Sequence, residues 1–71
     1  LHATLRLAGQ RQIRATLVDM LGRERALLHD GSLGAGIHAL QLPVRGLESG
    51  LYRLVVSSAG IGTSKPVMIL R

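Results

Sequence analysis

Residues 28–36, "LHDGSLGAG", hold the densest chemistry in this chain of 71 residues. A glycine-rich run can cradle a phosphate, and a histidine beside an aspartate can move protons. A phosphate loop, however, ends in Gly-Lys-Ser/Thr and leads from a strand into a helix. Here Gly36 is followed by Ile37 and His38, in a stretch patterned as strand. There is no lysine to reach a phosphate and no helix start to hold one. His29 and Asp30 are adjacent, so on a strand they face opposite ways.

The remaining polar residues are just as dispersed. His2, His29 and His38 show no metal-ligand spacing. Asp19, Glu24, Asp30 and Glu48 each fall in or beside an expected turn, where carboxylates bond local amides or stay solvated. Ser32, Ser49, Ser57, Ser58 and Ser64 lack the context of a nucleophile elbow. The reading is a chain with no enzymatic activity, no cofactor, no metal and no catalytic residues.

The elements around these residues are β-strands. "HATLRLA" alternates, with Ala3, Leu5 and Leu7 opposite His2, Thr4 and Arg6, and "IRATLVD" repeats the pattern with Ile13, Ala15 and Leu17. Gly22 supplies a hairpin, and "ERALLH" returns as a short third strand. A helix over 17–28 would carry Gly22 in its middle at a cost of about 1 kcal/mol against Ala, and the β phase on both sides opposes it.

Asp30-Gly31 then reads as a turn pair opening a loop to Gly36. "IHALQL" is the fourth strand, with His38 in phase with Leu40 and Leu42 and its ring turned inward at the sheet's end. A loop from Pro43 to Gly50 leads to "LYRLVVS", where Tyr52, Leu54 and Val56 share a face. "SAGIG" turns the chain into "TSKPVMILR". The inward positions of these strands, from Leu5 to Val56, make the expected core. Proline cannot donate to a ladder, so Pro66 requires the last strand to begin late, bulge or lie at an edge. The sum is an all-β sandwich of about six to seven short antiparallel strands.

Composition sets further bounds. A chain this short is one domain and buries only about 60% of the surface its unfolded state exposes. It has no cysteine to staple it, and Tyr52 is its sole aromatic residue. The formal charge is +5, but Arg6, Arg11, Arg14, Arg23, Arg25, Arg45, Arg53 and Arg71 are spread singly. Without a basic block or stacking platforms, nucleic acid is not an expected partner. No apolar run approaches the roughly 18 residues of a membrane span. The start at Leu1 reads as a segment of a longer protein, with targeting signals upstream.

Taken in order, "LVDMLGRE", "LHDGSLGAGIHALQL", "GLESGLYRLVV" and "SKPVMILR" resemble the C-terminal sorting domain of type IX secretion cargo proteins. The likeness covers nearly the whole chain. It implies an immunoglobulin-like β-sandwich and a non-catalytic tag. Such a tag directs an upstream cargo domain through the periplasm and across the outer membrane of a Gram-negative bacterium, to the cell surface or beyond. The partner so implied is the type IX secretion machinery.

The resemblance gives Asp19 and Gly22 to the second hairpin, and Gly31, Leu33, Gly36 and His38 to the entry of the fourth strand. Gly46, Leu47, Gly50 and Tyr52 would set the next corner. Lys65, Pro66, Val67, Met68, Ile69, Leu70 and Arg71 would form the terminal strand that the machinery recognises, by pairing at its open edge. Arg25 stands where the family usually has an apolar residue, which implies a third strand that is short or displaced to an edge. The alternative is a structural immunoglobulin-like module, as in hook-capping proteins; those carry "WDG" after the fourth strand, and "LPVRG" lacks it.

Overall fold

The computed structural model describes residues 2–43 and 45–70. Its elements are β1 (His2–Leu7), β2 (Arg11–Val18), β3 (Glu24–Leu33), β4 (Gly36–Gln41), β5 (Gly50–Ser58) and β6 (Ile61–Ile69). All pairings are antiparallel. One sheet has the order β3-β2-β5-β6 and the other is the pair β1-β4. The chain is a small all-β sandwich, as its alternating pattern requires.

Period two fixes which face is buried. On β2, Ile13, Ala15 and Leu17 point inward, and on β5 Tyr52, Leu54 and Val56 do so. All are buried except Val56, which is half-buried. Of the other expected core positions, Leu40 and Leu42 are buried, whereas Leu5 and Leu7 are only half-buried. Leu47 and Ile69, which the pattern does not place in the core, are buried as well.

The core forms two clusters. Ile13, Ala15 and Leu40 make one, packed by Leu5, Leu7, Leu28, Leu33 and Val56 across the two sheets. Leu17, Leu47, Tyr52 and Ile69 make the other, where Leu47 from the loop between β4 and β5 covers the end of the large sheet. β2 contributes to both and is the spine of the fold.

The third strand differs from its expected form. It is the longest strand, ten residues, and the Asp30-Gly31 pair lies inside it rather than in a turn. Asp30 pairs with Arg14 and Gly31 with Ile13. Register shifts between Ala15 and Thr16 and between Leu17 and Val18 leave Leu28 and Arg25 without a direct partner on β2. These bulges interrupt the alternation over 24–29, while Gly31, with φ 153°, continues the strand where a turn was expected. After β3 the chain crosses to the other sheet at Gly34-Ala35. As Arg25 implied, β3 lies at a sheet edge, but it is not short.

β6 also lies at an edge, which accommodates Pro66 in pairing with Arg53. It does not begin late, because the hairpin turn before it is only Ala59-Gly60, with Ser58 paired to Ile61. Both turn residues have positive φ, 50° and 80°, the backbone of a type I′ hairpin. Ala59 carries a β-carbon in the left-handed region, which costs about 1 kcal/mol. Ala59→Gly, at an exposed position, is therefore expected to raise stability by about 0.5 kcal/mol after the entropy that glycine adds to the unfolded chain. Urea unfolding measures it, and a loss of stability would contradict the strained turn.

Candidate recognition surface

His29 and His38 both bond to backbone carbonyls of the glycine-rich stretch. Nε2–H of His38 donates to the Gly34 carbonyl at 2.7 Å, tying the start of β4 back to the sheet crossing. Nε2–H of His29 donates to the Gly31 carbonyl at 3.2 Å, not to Asp30. His29 is half-buried and Asp30 is exposed on the opposite face of β3. Among the described residues, no group of three His, Asp or Glu side chains could hold a metal ion.

Asp19 organises the hairpin between β2 and β3. Its carbonyl accepts from Gly22 N–H at 3.0 Å, and its own N–H donates to the Arg23 carbonyl at 2.9 Å. This is a three-residue loop with Gly22 in the left-handed position, φ 83°. Oδ1 of Asp19 accepts from the N–H groups of both Leu21 and Arg23 at 2.9 Å. Oδ2 accepts from Arg23 Nε at 2.9 Å and lies 3.5 Å from Arg25 Nη1. Arg25 thus has a partner at the bulge rather than an apolar contact.

The Arg23 amide, with smaller contributions from the Arg23 side chain and the Leu21 amide, holds the Asp19 carboxyl below its ordinary value of 3.8. Because the folded form has the lower value, its contribution to stability is fully present above about pH 4 and is lost as pH falls through the folded value.

Tyr52 sets the other corner. Its hydroxyl donates to the Glu48 carbonyl at 2.7 Å, while its ring is buried against Leu17, Leu47 and Ile69. A tyrosine bonding back to the backbone a few residues upstream is a corner found in immunoglobulin-like sandwiches. Gly50 begins β5 opposite Ile69, and Gly36 begins β4 opposite Leu7.

The terminal stretch divides by face. In β6 the inward positions are Lys65, Val67 and Ile69, opposite Leu54, Tyr52 and Gly50. Ile69 has no accessible surface and Val67 is half-buried. Outward are Pro66, paired with Arg53, and Met68, paired with Leu51. Both are exposed, as is Leu70 just beyond the strand. Arg71 lies outside the described residues. Of the expected recognition residues, Ile69 is therefore a core residue, and Pro66, Met68 and Leu70 are available to a partner. Leu51 and Arg53, which the sequence reading did not single out, extend the same outer surface.

β6 also carries two features that blunt an edge against further strands, a proline and an inward-pointing lysine. This favours recognition of its outer side chains over pairing along its backbone.

No family model, no curated protein and no solved structure matches the chain.

Asp19→Asn keeps the shape of the turn residue but weakens the charge-assisted bonds to Arg23. A melting temperature a few degrees lower at pH 7 is expected, with the gap to the parent narrowing as the pH falls below 4. Thermal melts by circular dichroism from pH 7 to pH 2 test this. A gap that stays constant over that range would mean the carboxylate charge contributes nothing.

Proposed function

We propose that the domain is a non-catalytic sorting tag of the type IX secretion kind, which carries an upstream cargo protein across the outer membrane to the bacterial surface. The observation that carries the reading is the ordered set of four motifs resembling that family, together with what each does in the fold. Asp19 and Gly22 build the hairpin, and His38 ties down the sheet crossing. Tyr52 builds the corner. The last motif supplies an edge strand with Pro66 and Met68 exposed on its outer face.

The division of roles suits an address label. A tag must stay folded while presenting one stretch to a receptor, so most of its marked residues hold shape and a few are read. The candidate contact surface is Leu51, Arg53, Pro66 and Met68, adjacent across the β5-β6 ladder. It is apolar at one end and carries a cation at Arg53, which donates to Ser64 Oγ at 2.8 Å.

Deleting residues 65–71 would also remove Ile69 from the core, and loss of a buried isoleucine costs about 2–5 kcal/mol. That is enough to unfold a domain of this size, so point changes are the better probe. A reporter with a secretory signal peptide, fused ahead of residues 1–71, is expected on the surface of a bacterium that has a type IX system. Met68→Glu is expected to leave most of the fusion in the periplasm, still folded, whereas Arg6→Ala on the outside of β1 should have little effect. An intact, folded fusion that remains periplasmic would refute the sorting role. Export of the Met68→Glu fusion at parental levels would move recognition away from this surface.

A further inference from the structure

The two sheets differ in width, and the difference leaves a gap. β4 packs beside β3, and Leu5 and Leu7 of β1 pack on the cluster of Ile13, Ala15 and Leu40. Among the described residues, nothing beyond β1 covers the first half of β6. Ile61, Thr63 and Lys65 point to the inner side there, opposite Ser58, Val56 and Leu54, yet all three are exposed. Ile61 is 74% accessible.

The result is an open groove between β1 and β6. One part, about 160 Å³, is lined by Leu5, Leu40, Leu54 and Lys65 among others. The adjoining part, about 420 Å³, is lined by Leu5, Leu7, Ile13, Val56, Ile61 and Arg11 among others. β1 forms one wall, and its outer edge has no strand partner among the described residues. Its inward residues, Ala3, Leu5 and Leu7, are all apolar and it contains no proline. β1 thus lacks the blunting features of β6.

We propose that this groove accepts an extended peptide segment as an added strand, paired to the free edge of β1 and covering the bare half of β6. Strand addition gives affinity through main-chain hydrogen bonds and specificity through alternate side chains. The side chains required follow from the lining. The middle of the groove is apolar, at Leu5, Leu7 and Val56. Its two ends carry Lys65 and Arg11, and no acidic residue lines either part. Asp30 lines a separate, adjoining hollow with Gln12, Arg14 and Ser57, and Asp19 and Glu24 pair with Arg23, Arg25 and Arg14 at the β2–β3 hairpin.

The matching segment is therefore an alternating strand with β-branched apolar residues at its centre and an acidic residue at each end of the same face. This occupant is independent of the export reading and stands or falls separately from it.

The probe is the synthetic peptide Glu-Thr-Val-Thr-Val-Thr-Glu, capped at both ends to remove terminal charges. It is titrated into the 71-residue chain and followed by amide chemical shifts and hydrogen exchange. A counterpart with lysines in place of both glutamates is the comparison. The glutamate peptide is expected to slow exchange along β1 and to bind about fivefold more tightly than the lysine peptide. Lys65→Glu, at an exposed site, should narrow or invert that preference without unfolding the chain.

Failure of both peptides to bind at millimolar concentration would overturn the proposal. So would shifts confined to the outer edge of β3 or β6. A chain that dimerises through β1 before peptide is added would also overturn it, by making a second copy the occupant.

Discussion

A four-stranded sheet is about 19 Å wide at the usual strand spacing of about 4.8 Å, and a two-stranded sheet covers about half of it. That mismatch governs this domain. Ile13, Ala15 and Leu17 on β2 and Tyr52 and Leu54 on β5 lie under cover and are buried to within a few per cent of complete. Where the same cross-strand rows reach β6, the residues are Lys65 beside Leu54 and Thr63 beside Val56, and both are exposed. Only the far end of β6 is covered, where Leu47 descends from the loop onto Ile69 and Tyr52.

With a single aromatic ring and no disulfide, the domain cannot fill the gap with bulk or staple it shut. It relies on local polar ties at its corners. Asp19 closes one hairpin with bonds to Leu21 and Arg23, His38 fastens the sheet crossing, and Tyr52 bonds to Glu48. Each tie fixes a place where the chain reverses or changes sheets. All described buried side-chain nitrogen and oxygen atoms have partners. Asp19, His38 and Tyr52 are accounted for by these ties, which leaves motif side chains on open surfaces, such as Arg53 and Lys65, as the candidates for recognition.

Much of this was legible in the sequence, because period two over Ala3 to Leu7, Ile13 to Leu17 and Tyr52 to Val56 has one physical meaning. β3 was not, since bulges at Arg25 and Leu28 break its phase and Asp30-Gly31 imitates a turn. Ile69 reads as a residue of the recognised terminal strand because nothing local announces that Leu47 will cover it. Carrying the Val67-Ile69 phase back to Lys65 and Thr63 does signal a bare inner face. The sandwich was therefore foreseeable, while the groove needed the pairing order β3-β2-β5-β6 to become visible. The division of the terminal stretch into a buried Ile69 and an exposed Met68 likewise needed the ladder.

The half-covered sheet is the claim on which the groove and the exposed strand both rest, and amide hydrogen exchange of the isolated chain tests it most directly. Amides of β2 and of Tyr52 to Val56 in β5 should exchange only through global unfolding, whereas those from Ile61 to Lys65 should exchange through local opening at much lower cost. Equal, slow exchange across all of β6 would show that the sheet is covered along its full width and would contradict the account.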